Sequence, residues 1–182
     1  STASDGLLAP QELVAAAAEA GVRVLALTDH DTTGGIEAAA AALRPGMTLV
    51  PGAEVSCQMR VADGRVISMH ILAYLFDPAE PAFAELRRRV RDSRVNRAQR
   101  MVERLAADGH PVSWERIRER AGGTVGRPHI ADALVEAGLA ADWDEAFSKD
   151  WIGHRGRCWV ERYEPDVAEA LRAIHAAGGV SV

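Results

Sequence analysis

Residues 22–28, VRVLALT, restrict the fold more than any other part of the chain. They form an unbroken β-branched and apolar run, the pattern of a strand buried on both faces. Helical composition stands on either side. Residues 11–20 read as a helix with Pro10 suited to its first turn and Gly21 to its stop, and residues 36–43 repeat the helix before Arg44-Pro45-Gly46 breaks it. MTLVPG is then a second short strand. Helix, strand, helix, strand is the rhythm of a parallel α/β sheet or barrel. A hairpin is expected next, EVSCQMRV and RVISMHILAYLF joined by a turn at Ala62-Asp63-Gly64. From Pro78 the character changes to helices and loops: an arginine-rich helix to about Ala107, then SWERIRERAG, GRPHIADALVEAG and DWDEAFSKDWI. EPDVAEALRAIHAAGG returns to the helix-before-strand pattern. The expected organisation is an α/β core of residues 1–76 and 164–182, interrupted by a helical insertion at 77–163, with no internal repeat.

A chain of 182 residues with 48% hydrophobic content can bury a core of its own. Its net charge of −5, with 26% charged residues, excludes a generally basic nucleic-acid binder and a disordered acidic chain. Cys57 and Cys158 form no CxxC pair, which argues against a thiolate zinc site or a disulfide scaffold and suits a reducing, cytoplasmic setting. No apolar run reaches the roughly 18 residues of a membrane span, and no signal-peptide pattern is present. The chain starts at STASDG without a methionine and stops three residues into a new strand, so it reads as a fold truncated at both ends.

In parallel α/β folds the chemistry sits at the carboxyl ends of the strands. Asp29, His30 and Asp31 occupy such an end, Glu54 follows the next strand in VPGAEVS, and His70 interrupts the apolar strand VISMHILAY. Imidazoles with carboxylates are the usual ligands of zinc, manganese or iron, and a carboxylate can bridge two ions. Taken singly, a strand histidine is more often a hydrogen-bonded core or edge residue. Asp29 or Asp31 is an ordinary cap for the following helix, and Glu54 an ordinary surface acid. Their coincidence at two strand ends and one strand points to metal.

Two further features stand out. In RRRVRDSRVNRAQRMVERL, Val90, Ala98, Met101, Val102 and Leu105 share a helical face that Arg87, Arg91 and Arg94 continue toward the amino end. Arginine suits bidentate phosphate contact, although such a run is more commonly a solvated face paired with Glu85, Asp92 and Glu103. In TVGRPHIADAL, Arg127 and His129 open a helix after a glycine-rich loop, a natural anion site, or else His129 is a plain first-turn polar residue. His110 reads as loop and His175 as helix surface. Trp114, Trp143, Trp151 and Trp159 read as core of the insertion, with Trp159, beside HRGR, also placed to stack on a base.

STASDG, LALTDHDTTGG, LVPGAEVS, HILAY, GRPHIADALVEAG and AIHAAGGVSV, in this order, closely resemble the PHP (polymerase and histidinol phosphatase) family. The likeness is greatest to its TrpH-type branch of nucleoside 3′,5′-bisphosphate phosphatases and RNase AM type 5′-to-3′ exoribonucleases, and it covers essentially the whole chain. It implies a distorted (β/α)7 barrel holding two or three divalent ions, manganese, iron or zinc, with a helical cap. Position by position it implies Asp5, His30, Glu54, His70 and His129 as metal ligands, with His30 and Glu54 central to catalysis and Asp29 orienting His30. Arg94, Arg97 and Arg127 fall to substrate phosphate. The family's His-x-His would precede Ser1, and its later HP and Gly-x-Asp-x-His would follow Val182, so the resemblance places the activity in the full-length protein. The implied reaction is hydrolysis of phosphate esters of nucleotides or short RNA 5′ ends by metal-activated water, with neither a membrane nor a stable protein partner. The alternatives are a histidinol-phosphate-type phosphatase and a non-catalytic PHP module that binds nucleic acid or a polymerase partner.

Overall fold

The computed structural model describes residues 1–121 and 125–182; Thr124 and the two glycines before it, at the start of the expected glycine-rich loop, lie outside the described residues. The elements in chain order are α1 (Pro10–Glu19), β1 (Val24–Leu27), α2 (Ile36–Ala41), β2 (Thr48–Arg60), β3 (Val66–Tyr74), α3 (Pro81–Ala107), α4 (Trp114–Ala121), α5 (Arg127–Glu136), α6 (Trp143–Ala146), α7 (Val167–Ala176) and β4 (Val180–Ser181). They divide into two compact units, residues 1–91 with 163–182, and residues 92–162.

The first unit is built on a four-stranded sheet of order β1-β2-β3-β4. β1 pairs parallel with β2, β2 antiparallel with β3, and β3 antiparallel with β4. The sequence divides MTLVPG from EVSCQMRV, but in the structure they are one continuous strand, β2. Pro51-Gly52 reads as a breaker and instead marks where three strands crowd together. A Cβ on Gly52 would lie 2.8 Å from Thr28 Cγ2, 2.9 Å from the Leu27 carbonyl oxygen and 3.2 Å from that of Ala73. Glycine is required there for space.

β1 also departs from expectation. Leu27 packs in one cluster with Val14 of α1 and Ala39 of α2, while Val24 is 64% exposed. Both flanking helices contribute to the cluster around Leu27, so the apolar run has one buried face and not two. In β2 the alternation is sharp. Ala53, Val55 and Cys57 enter a core with Ile71, Ala73, Phe76, Phe83, Leu86, Val90, Ala170 and Ile174, and Glu54, Ser56 and Gln58 fall on the other face.

Cys57 is fully buried in that core. Burial, with the charges of Glu164, Asp166 and Asp31, pushes its thiol up to about 11. The unfolded chain would lose this proton near pH 8.5, so in the window between the two values the native state binds more protons than the unfolded one. The stabilisation is complete below that window and falls as pH rises through it. Denaturant titrations at pH 8 and pH 10.5 should show a loss of stability in wild type that is smaller in Cys57→Ala.

The second unit is helical. Ala98, Met101, Val102 and Leu105 of α3 pack with Ile117 of α4, Ile130 and Leu134 of α5, and Ile152 and Cys158. The apolar face read from the sequence is therefore buried, with Val90 in the core of the first unit and the rest here. DWDEAFSKDWI is helical only over α6; Asp142 caps that single turn by accepting from the Glu145 N–H, and turns follow. Trp143 is 47% exposed and donates to Asp132 Oδ1 at 2.8 Å, whereas Trp114, Trp151 and Trp159 pack against the core. Among the described residues no helix is long and apolar enough to cross a membrane.

Candidate metal centre

The parallel register that pairs Leu27 with Pro51 extends beyond β1 to a bridge between His30 and Glu54. Glu54 N–H donates to the Asp29 carbonyl at 3.1 Å, and Asp31 N–H donates to the Glu54 carbonyl at 3.0 Å. The sheet ladder itself thus brings TDHD beside PGAE. On the next strand His70 pairs with Ser56, which places it diagonally from Glu54 on the face opposite the core.

The three side chains converge. Glu54 Oε1 lies 2.8 Å from His70 Nδ1, Glu54 Oε2 lies 3.8 Å from His30 Nδ1, and the two imidazole rings meet edge to face with centroids 4.7 Å apart. One donor atom from each falls within 4.8 Å of the others. Asp5 Oδ2 adds a second carboxylate 3.8 Å from His30 Nε2. Metal–ligand bonds of about 2.0–2.2 Å put any two donors of one ion within about 4.4 Å, so this group needs only a slight tightening to hold one. Two imidazoles and two carboxylates are the donor set that suits zinc, iron or manganese. Glu54, facing both histidines, is placed to be shared.

The neighbouring acids do other work. Asp29 is buried and takes the hydroxyls of Ser1 (2.7 Å) and Ser4 (2.8 Å), which ties down the turn that carries Asp5. It therefore holds the segment that carries Asp5. Neither Asp29 nor Asp31 caps α2, whose N-cap is Gly35 without a side-chain hydrogen bond. Asp31 instead binds Ser56, a residue that the sequence reading passed over. Its only signal was its place two residues after Glu54, on the same strand face.

The other candidates lie in the second unit. Arg97 rests over the Trp159 ring at 4.4 Å, and Arg127 stands 5.3 Å from the same ring and 5.2 Å from that of Phe147. Arg94 Nη1 lies 3.9 Å from where a Cβ on Gly126 would be, so it borders the start of α5. Trp159, expected in the core of the insertion and also placed to stack on a base, packs against that core and carries guanidiniums. His129 Nδ1 accepts the Gly126 N–H at 3.0 Å and so satisfies an amide at the start of α5. Of the arginine stripe, Arg87 is a buried strut: it donates to Thr33 Oγ1 and to the Pro78 carbonyl and lies over Phe83 and Phe76. Burial, with Arg91 nearby, pushes its guanidinium below the usual value.

No protein-family model matches the chain. Curated relatives do. The chain is 38% identical over 183 residues to a 5′-3′ exoribonuclease of Haemophilus influenzae, covering all of this chain and 65% of that protein. It is 36% identical over 185 residues to a 3′,5′-nucleoside bisphosphate phosphatase of Chromobacterium violaceum, covering all of this chain and 63% of that one. It is 30% identical over 185 residues to a phosphoribosyl 1,2-cyclic phosphate 1,2-diphosphodiesterase of Eggerthella lenta, covering all of this chain and 70% of that protein. A crystal structure from Bifidobacterium adolescentis, described as a metal-dependent phosphoesterase, superposes with a TM-score of 0.88 at 34% identity, over the whole of this chain and 63% of its own. The chain thus spans just under two thirds of the exoribonuclease and the bisphosphate phosphatase. With its donor cluster where the end of β1 meets β2 and β3, and these relatives along its full length, the chain belongs to the PHP family of metal-dependent phosphoesterases.

Proposed function

We propose that the protein hydrolyses phosphate esters of nucleotides, either nucleoside 3′,5′-bisphosphates or short RNA 5′ ends, with divalent metal ions at the centre formed by Asp5, His30, Glu54 and His70. The observation that carries this reading is the convergence of His30, just past the end of β1, with Glu54 and His70, within β2 and β3, to within 4.8 Å, in a chain related along its length to a bisphosphate phosphatase and an exoribonuclease.

Two or three ions of manganese, iron or zinc would supply an acidified water and offset the negative charge of the reacting phosphate. The chain's own residues do the rest. Glu54 lies between the two histidines, 2.8 Å from His70 Nδ1 and 3.8 Å from His30 Nδ1. With Nδ1 of His70 2.8 Å from Glu54 Oε1, Nε2 is the ring nitrogen left for a ligand. His129 as a further ligand has a chemical condition attached. While its Nδ1 accepts from Gly126 the neutral ring carries its proton on Nε2, so ligation through Nε2 requires that hydrogen bond to be released. Arg94, Arg97 and Arg127 are assigned to substrate phosphate, and their planar forks suit bidentate contact. The mixed sheet is then part of a distorted (β/α)7 barrel and the helical unit its cap, in a cytoplasmic enzyme.

The test is phosphate release from a nucleoside 3′,5′-bisphosphate and from 5′-phosphorylated RNA, before and after chelation. Activity should vanish with EDTA and return with Mn²⁺. Release indifferent to chelator, or salt-dependent RNA binding with no release, would overturn the reading; turnover confined to histidinol phosphate would replace the substrate class.

A further inference from the structure

The strongest unexplained feature beside the candidate metal centre is Asp31. Its backbone sits at φ 57°, in the left-handed region, and its side chain is 1% exposed. A residue with a Cβ rarely holds that conformation, and aspartate tolerates it best when its short side chain finds hydrogen bonds nearby. A buried carboxyl group is also costly to take from water unless it is well bonded. Both conditions are met by one partner: Oδ1 accepts the Ser56 N–H at 2.8 Å and Oδ2 the Ser56 hydroxyl at 2.9 Å.

The location of this clasp gives it meaning. Asp31 directly follows His30, and its own N–H donates to the Glu54 carbonyl. Ser56 is fully buried, lies two residues after Glu54 on the same strand face, and pairs with His70 in the β2–β3 register. One carboxyl group therefore fixes the point where the chain leaves β1 just after one donor, and fixes β2 between a second donor and the residue opposite the third. Strained backbone persists where surrounding bonds over-determine it, and such positions gather at functional sites.

We propose that Asp31, through Ser56, is the positioning residue that sets the mutual geometry of His30, Glu54 and His70 for metal binding. The proposal rests on reading that cluster as a metal site. Asp31 holds the backbone on either side of the donors and touches neither metal nor substrate. Support from outside the ligand set of this kind is worth about 10–100-fold in metal affinity.

The test uses the full chain, with Mn²⁺ affinity measured by calorimetry and the melting temperature of the metal-free protein measured beside it. Asp31→Ala should weaken Mn²⁺ binding about 10–100-fold. Asp31→Asn, which can still accept from the Ser56 N–H and donate to its hydroxyl, should restore most of the affinity. Should Asp31→Ala fail to fold, Ser56→Ala decides, since it removes one bond of the clasp and leaves the backbone bond; it should weaken binding several-fold. Wild-type Mn²⁺ affinity in a folded Asp31→Ala or Ser56→Ala protein overturns the proposal, even if the metal-free melting temperature falls, because that pattern marks a structural role alone. Absence of Mn²⁺ binding by wild type overturns the metal-site reading and this inference with it.

Discussion

Glu54→Ala is expected to lower phosphate release by about 10³-fold or more, equivalent to about 4 kcal/mol of transition-state stabilisation, while the protein stays folded. The size follows from position. Glu54 is the member of the cluster that faces both imidazoles, 2.8 Å from one and 3.8 Å from the other. Its removal leaves two rings with centroids 4.7 Å apart and no carboxylate between them. Neutral imidazoles bind an ion without balancing its charge, so affinity and reactivity should fall together. His30→Ala should act alike, because His30 is the ring within reach of both Glu54 and Asp5. The fold should survive either change, because Glu54 points away from the core formed by Ala53, Val55 and Cys57. Glu54→Gln separates charge from shape: it keeps the size of the side chain beside His70 and should still lose most of the activity. The check is turnover with Mn²⁺ content and melting temperature recorded on the same samples. A folded, metal-replete Glu54→Ala protein with wild-type turnover would remove Glu54 from the chemistry.

The parts of this site that could be read from the sequence were those governed by period and spacing. His70 stands out because it is polar inside an apolar strand, and His30 and Glu54 because each follows an apolar run where the βα rhythm expects a strand to end, although the structure carries β2 on through Glu54. The buried face of α3 was legible for the same reason, since Met101, Val102 and Leu105 recur at helical spacing. What escaped were features set by three-dimensional closure. Pro51-Gly52 carries the local signature of a break, yet β2 runs through it because Gly52 lets two neighbouring strands approach. Val24 belongs to an apolar run and is exposed because the cluster formed with α1 and α2 takes only one face of its strand. Asp29 and Asp31 look like equivalent flanks of His30, and only the fold gives one the hydroxyls of Ser1 and Ser4 and the other Ser56. Trp159 beside basic residues suggests stacking on a base, and nothing in the local sequence reveals that Arg97 and Arg127, from distant positions, rest on it.

The largest expected effect on stability lies at Gly153, in the turn segment that leads to Trp159. Its N–H donates to the Ser148 carbonyl at 2.8 Å, and the chain then folds back, with Arg157 N–H donating to the Lys149 carbonyl and Cys158 N–H to that of Trp151. A Cβ at this position would lie 2.1 Å from the Phe147 carbonyl oxygen and 2.4 Å from that of Ser148. Both obstacles are backbone, so no rotamer change relieves them, and the turn must open or lose the Gly153 hydrogen bond. The cost of Gly153→Ala should reach about 3 kcal/mol or more, at the severe end for a single added methyl group. For a chain of this length that is a fall of about 10 °C in melting temperature. Gly21→Ala is the matched control. Gly21 has a φ of 79° and nothing within 4 Å of its would-be Cβ, so alanine there meets a conformational penalty of about 1–2 kcal/mol and no collision. If Gly153→Ala melts no lower than Gly21→Ala, the turn re-forms around a side chain and steric closure is not what holds it. If it melts far lower, and any folded remainder shows weakened binding of a nucleoside 3′,5′-bisphosphate, then the phosphate contacts proposed for Arg97 and Arg127 depend on the segment that seats Trp159.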